Sequence, residues 1–322
     1  MRVLLTGSSG WLGRHLAPRL RGDGRKVVGF DVAPGPQTDV IGSVADRALV
    51  DRVFAEHAID AVIHAAALHK PDIARYPRQK FVDVNVSGTL NLLEAAVAAG
   101  ASRFVFTSTT SLMISHAIRE GQGEAAAWID ETLSPLVPRN IYGVTKLAAE
   151  RLCRLIHDEH ALPVLVLRTA RFFPEEDDTH RALSGENMKA NELLHRRLTV
   201  ADAVEAHVAA LERAPEIGFD TFILSAPTPF AREEAAALKA DAAAVIARHF
   251  PDAAELYAAR GWKLPGSIDR VYDASRAERV LGFRCRTDFA SMLAALRRGD
   301  AFPVEHDADY ASPALGFAAA IG

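Results

Sequence analysis

Cysteine is nearly absent. Cys153 and Cys285 are the only two in 322 residues, and they form no C-x-x-C spacing. That scarcity fits a reducing compartment and leaves open a single thiol of interest or one bridge. No apolar run approaches the roughly 18 residues needed to span a bilayer, and the chain opens at once on an apolar strand, leaving no room for a signal peptide. Charge is balanced as well: 37 basic against 41 acidic residues give a net charge of −4, with no long block of one sign. These absences exclude a nucleic-acid face and a membrane face and predict a soluble cytoplasmic protein. A G-x-S-x-G elbow is missing too, which argues against a hydrolase. His157-Asp158-Glu159-His160 has i,i+3 rather than H-E-x-x-H spacing, so it reads as a solvated helix end and no metal is expected. The acidic stretch 175–178 reads the same way, as a solvated loop.

What the chain does have is apolar residues, at 49% of the total, enough for a substantial core. Short apolar runs at 2–6, 26–30, 61–65, 103–107 and 163–167 alternate with helical stretches. That alternation predicts an α/β fold, a Rossmann-type doubly wound parallel sheet. Residues 84–99 and 142–157 have helical periodicity, the first stopped by Gly100. Further on, 198–211 reads as a helix, 221–224 and 268–272 as strands, and 275–281 as a helix ended by Gly282. Residues 171–197 read as polar and irregular, and no structure is assigned to the last twenty. The expected organisation is a dinucleotide-binding domain over 1–170, joined by a returning segment at about 198–225. A smaller substrate lobe is built from 171–197 and 226–322.

The first thirteen residues carry the strongest signal. A strand runs into Gly7, Gly10 and Gly13, spaced G-x-x-G-x-x-G, and a helix begins at Trp11 and Leu12. Gly7 permits the tight turn and Gly10, beside Ser9, lets backbone N–H groups approach a pyrophosphate. Gly13 lets the helix pack close to the strand. Asp31 closes the second strand, where a carboxylate accepts ribose hydroxyls and repels a 2′-phosphate. No Arg or Lys follows it, so NAD is favoured over NADP.

The fourth strand runs into a hydroxyl cluster, Thr107-Ser108-Thr109-Thr110-Ser111. Beyond it, Tyr142 and Lys146 stand four apart, on one face of a helix. A neighbouring ammonium favours the phenolate of a Tyr. Such a Tyr can take the proton from an alcohol as hydride leaves, or return it to a ketone. His69, at the end of an Ala-rich strand, reads equally as facing substrate or as a partly buried structural residue.

These elements together resemble the extended short-chain dehydrogenase/reductase family, also called the NAD-dependent epimerase/dehydratase family. The resemblance rests on the glycine loop, Asp31, Val62-Ile63-His64-Ala65-Ala66-Ala67, Asn85-Val86-Ser87-Gly88-Thr89, the hydroxyl cluster and Tyr142-x-x-x-Lys146. It covers roughly residues 1–170, where several motifs agree in order and spacing, and persists weakly to about 290. Within the family the chain is most similar to UDP-galactose 4-epimerases and related sugar enzymes. The resemblance implies Tyr142 as catalytic acid/base, Lys146 as its partner and Thr109 as the catalytic hydroxyl, with Ser108 as the register alternative. It places Ala65, Ala66 and Ala67 along the cofactor, Thr107 beside them, and Ser43 and Val44 at the adenine. Asn85 falls near the nicotinamide or acts as a local backbone cap. His69, Thr109, Thr110, Arg171, Asn187, Arg197 and Arg270 are the candidate substrate contacts.

The chain also departs from the family pattern. Gly42-Ser43-Val44 lacks the acidic adenine contact, and Thr110 and Ser111 stand where dehydratases carry Asp-Glu, which disfavours dehydration. The arginine that grips a nucleotide-sugar diphosphate does not align cleanly, with Lys263 or Arg270 near it. The resulting expectation is a sugar 4-epimerase that retains NAD and acts on a nucleotide-sugar. The alternatives are a dehydrogenase of a sugar, uronate or related alcohol that releases NADH, and a non-catalytic dinucleotide sensor. The resemblance further implies a homodimer through a four-helix bundle of 84–99 and 142–157.

Overall fold

The alternation of apolar runs and helical stretches becomes a three-layer arrangement. The structure, a computed structural model, describes residues 1–174, 183–307 and 310. In chain order the elements begin β1 (Arg2–Thr6), α1 (Trp11–Gly22), β2 (Lys26–Asp31), β3 (Val40–Ile41), α2 (Arg47–His57) and β4 (Ala61–His64). They continue through α3 (Arg78–Phe81), α4 (Gly88–Ala98), β5 (Arg103–Thr109), α5 (His116–Arg119), β6 (Ala127–Ile129), α6 (Ile141–His160) and β7 (Val164–Thr169). Then come α7 (Gly185–Leu193), α8 (Val200–Ile217), β8 (Phe219–Leu224), α9 (Ala235–Ala240), α10 (Ala242–His249), α11 (Ala253–Ala258), β9 (Arg270–Tyr272) and α12 (Phe289–Arg297).

Seven strands form one sheet in the order β3-β2-β1-β4-β5-β7-β8, every neighbouring pair parallel. The order reverses between β1 and β4, and that reversal opens a crevice at the carboxyl ends of the strands. One face of the sheet packs on α1 and α8 through Leu12, Leu16, Ala203 and Leu211. The other packs on α2, α4 and α6 through Val50, Leu92, Leu93 and Ala149. Both faces are covered, which is why the strands are near-continuous apolar runs. A third apolar cluster, including Leu193, Phe230, Ile246, Tyr257, Trp262 and Phe289, gathers around α7 and α10–α12. There β6 and β9 form a separate parallel pair. Among the described residues no helix is long and apolar enough to cross a membrane.

Several elements differ from expectation. The irregular stretch 171–197 contains α7, capped by the Ser184 hydroxyl accepting from the Asn187 N–H. Its signal is hidden because Asn187, Lys189, Asn191 and Glu192 are buried polar residues, so no apolar stripe marks it. The helix expected over 84–99 starts as a π-turn at Val82–Ser87, and the one over 275–281 winds as π at Ala277–Leu281. Gly100 and Gly282 stop these helices at φ +68° and +73°. The acidic stretch 175–178 lies outside the described residues.

The sheet also carries a buried ion pair. Arg168 on β7 donates to Glu150 on α6 at 2.7 Å, and the Ser108 hydroxyl donates to the same carboxylate at 2.6 Å. Substituting Arg168→Met leaves that carboxylate buried without its cation, which costs about 3–5 kcal/mol. Urea unfolding measures the loss; a change below about 1 kcal/mol, typical of an exposed pair, contradicts it.

Candidate functional site

The crevice at the strand-order reversal holds a cavity of about 410 Å³. Gly7, Gly10, Trp11 and Leu12 line it from the loop after β1, Asp31 from β2, and Ser43 and Val44 from the loop after β3. Ala65, Ala66, Ala67 and His69 line it after β4, and Thr107 on β5. Phe172, Phe173, Arg75, Tyr76 and Lys80, which sequence reasoning did not single out, complete the wall. Lys80 lies on the one-turn helix α3 and the others on irregular segments, so no periodic pattern marked them.

The glycine loop has no room for side chains. Gly7 sits at φ +75°, and a Cβ there would fall 2.8 Å from the Ala66 nitrogen. At Gly13 it would fall 2.1 Å from the Gly7 carbonyl oxygen. The α1 N-terminus has no side-chain cap and no acid in its first turn. Its N–H groups therefore open on the cavity wall, as an anionic pyrophosphate requires. Asp31 accepts the Ser9 N–H at 2.9 Å and the Ala33 N–H at 3.0 Å, one on each oxygen. Each oxygen keeps a lone pair for a ribose hydroxyl. Burial raises the Asp31 pKa, which the backbone donors partly oppose. The Ser9 hydroxyl donates to the Ala33 carbonyl and thus holds the loop rather than lining the cavity. These residues fit a dinucleotide with a free 2′-hydroxyl.

Beside the cavity, strand alternation decides the hydroxyl register. Ser108 points to Glu150, whereas Thr109, on the opposite side of the strand, faces Tyr142 and opposes the rise of its pKa. Tyr142 is buried, and burial pushes its phenol up to about 12. In the protein alone the neutral phenol is therefore the resting form. Lys146 donates to the Thr107 carbonyl at 2.6 Å and lies 4.0 Å from the centre of the Phe106 ring. Burial lowers its ammonium to about 7. The His69 ring stands 5.8 Å from Tyr142 and 5.5 Å from Phe173, and burial, helped by Lys146, lowers it to about 4. His69 is thus a neutral imidazole at pH 7.

The NAD dependent epimerase/dehydratase family matches residues 3–218. The chain belongs to this family. Over 190 residues it is 33% identical to a 3 beta-hydroxysteroid dehydrogenase/Delta 5-->4-isomerase of Mycobacterium tuberculosis, covering 55% of this chain and 49% of that one. Over 175 residues it is 35% identical to a UDP-glucose 4-epimerase of Rhizobium leguminosarum bv. trifolii, covering 52% and 50%. The chain thus spans about half the length of the curated relatives it matches. A solved short-chain dehydrogenase/reductase superfamily protein from Agrobacterium tumefaciens, with bound NAD, superposes with a TM-score of 0.64. It is 26% identical, covering 93% of this chain and 98% of that one.

Thr109, Tyr142 and Lys146 stand behind the cavity wall rather than on it, and several further family-derived positions do not reach it either. Asn85 is buried, accepts the Leu68 N–H at 2.8 Å and donates to the Leu68 carbonyl and Thr145, tying the cavity loop to α6. Thr110 donates to the Thr169 carbonyl at 3.3 Å. Asn187 has its amide engaged on both the N–H and the carbonyl of Lys263, each at 2.9 Å. Arg197 is fully buried, bound to Glu192 at 2.7 Å and to the Phe173 carbonyl at 2.6 Å. Arg171 forms an isolated backbone bridge with Arg197. Arg270 is buried at the start of β9, away from the wall of the cavity. Two further buried histidines hold the sheet end: His64 bridges Thr6 and Thr89, and His207 bonds Thr107. Among the described residues no His, Cys, Asp and Glu side chains cluster as metal ligands.

The lowered Lys146 pKa has a stability consequence. Between about 7 and its unfolded value of about 10.4 the unfolded chain binds more protons than the folded one, so folding stability rises with pH. The thermal midpoint of the protein, measured relative to Lys146→Met, should climb from pH 7 to pH 9. A pH-independent difference contradicts the shift.

Proposed function

We propose that this protein is an NAD-dependent oxidoreductase acting on a secondary alcohol of a sugar-like substrate, with Tyr142 as the proton-transfer group. The observation that carries the reading is the convergence of Tyr142 and Lys146 of α6 on the end of β5, where Lys146 donates to the carbonyl of the cavity-lining Thr107 and Tyr142 stands 5.8 Å from the cavity-lining His69 ring. Gly7, Gly10, Trp11, Leu12, Asp31, Ser43, Val44 and Ala65–Ala67 would hold NAD, which supplies a hydride acceptor when bound. The rest falls to the chain. Thr109 and Tyr142 grip the substrate oxygen, and Tyr142 takes its proton as the carbon gives up hydride, or returns it in reverse. The neutral resting phenol suits the return step, protonation of a ketone. Lys146 supplies the positive charge that the phenolate needs, and burial makes that charge sensitive to pH.

Two outcomes of this chemistry differ in what happens to the hydride. In a 4-epimerase it returns to the opposite face of the sugar; in a dehydrogenase NADH leaves. The engaged Asn187 amide and the buried Arg197 favour the dehydrogenase, because two candidate substrate contacts serve internal packing instead. The names of the relatives include both reaction types. Assays that follow NADH absorbance and sugar epimerisation in parallel discriminate them. Tyr142→Phe should lower kcat of whichever turnover is found by about 10²–10⁴. Turnover that survives the substitution refutes the assignment.

A homodimer is part of the same proposal. Val144 and Leu155 of α6 are each 48% exposed, and with Ala148 they mark one side of the helix. Leu155→Glu should convert a dimer to a monomer in sedimentation equilibrium. A wild-type mass of one chain at micromolar concentration contradicts the dimer.

A further inference from the structure

A short stretch of chain touches three separate parts of the structure. Val304 is buried in the apolar cluster around α7 and α10–α12. Next to it, the fully buried Lys189 of α7 donates to the Glu305 carbonyl and to His306 Nδ1, each at 2.9 Å. Lys189 also donates to the carbonyl of Pro174, the residue that follows the cavity-lining Phe172 and Phe173. The Asp307 N–H donates to that same carbonyl at 3.0 Å, and the Tyr310 N–H turns back onto the Asp307 carbonyl at 3.2 Å. The Tyr310 ring then meets Trp11 of α1 edge-on, with ring centres 5.2 Å apart and planes at 61°. The Arg14 guanidinium lies over both rings, 4.3 Å from the centre of Trp11 and 5.1 Å from that of Tyr310.

Trp11 is the first residue of α1 and lines the cavity together with Gly10 and Leu12. It is nonetheless only 9% exposed, because Tyr310, Arg14 and His15, whose ring stands 4.5 Å away, cover it from outside the cavity. An edge-to-face pair holds one ring against the other beyond what area burial alone gives. A cation near the start of a helix is disfavoured by the dipole, and two ring faces offset that cost for Arg14. Trp11 therefore cannot turn out of the cavity wall without breaking these contacts. We infer that Tyr310 is a positioning residue for the dinucleotide: it holds Trp11 in the cavity wall, while Pro174 and Lys189 anchor the stretch that carries it. One chain of contacts then runs from the glycine loop to the Phe172–Phe173 wall and α7. The Tyr310 ring carries the effect, not its hydroxyl. This rests on the reading of the cavity as a dinucleotide site.

The test is calorimetric titration of the full chain with NAD, below the unfolding midpoint of every variant. Tyr310 is half-buried and outside the strands and helices, so its substitution leaves the fold in place. Tyr310→Ala should raise the dissociation constant about three- to tenfold, the worth of an aromatic pair. Tyr310→Phe keeps the ring and should stay within about twofold of the wild type. In a Trp11→Ala background the Tyr310→Ala change should have no further effect, because its route to the ligand is gone. That cycle separates positioning through Trp11 from a general loss of packing, which weakens binding in either background. If Trp11→Ala binds too weakly to titrate, Tyr310→Ala against Tyr310→Phe decides. An unchanged dissociation constant in Tyr310→Ala, an equal loss in Tyr310→Phe, or an undiminished loss in the Trp11→Ala background would overturn the role. All three presuppose a wild type that binds NAD; a wild type that binds no dinucleotide refutes the cavity reading itself, and the positioning role with it.

Discussion

The site depends on how closely α1 can approach β1. With a Cβ at Gly13 only 2.1 Å from the Gly7 carbonyl, any side chain there would push the helix off the strand. That contact fixes the helix N-terminus over the crevice and sets the turn that lets Ser9 reach Asp31. Gly7, in turn, must take a positive φ and clear Ala65 and Ala66 just after β4, so three neighbouring strands are locked at one point. The cavity follows from this packing, not from any one ligand-facing side chain.

The catalytic end is built on different physics. Thr109, Tyr142 and Lys146 are buried and His69 is half-buried, and desolvation dominates each of the three titrating ones. The phenol rises and the ammonium and imidazole fall, so in the protein alone all three favour their neutral forms at or above neutral pH. Charge then enters the site with a ligand or with the reaction.

Much of this was legible in the sequence. Strand positions, the glycine loop and Asp31 follow from local rules, because each is a short apolar run or a turn residue with one steric purpose. The four-residue spacing of Tyr142 and Lys146 also survives directly into α6. Other features depend on distant partners. The assignment of Thr109 over Ser108 required the buried Glu150–Arg168 pair that holds Ser108 away. The helix α7 was hidden because its polar residues are satisfied by distant partners, Lys263 and residues 305–306. Arg197 and Asn187 have the residue types of ligand contacts, yet the fold engages both internally. Phe172 and Phe173 line the cavity only because β7 ends beside it.

The central claim is that the Gly7–Gly13 loop and Asp31 hold an NAD-type dinucleotide. Calorimetric titration of the full chain with NAD and NADP measures it most directly. The account predicts that NAD binds and that NADP binds at least about tenfold more weakly, because a 2′-phosphate meets the Asp31 carboxylate. Binding of neither dinucleotide, or tighter binding of NADP, would contradict it.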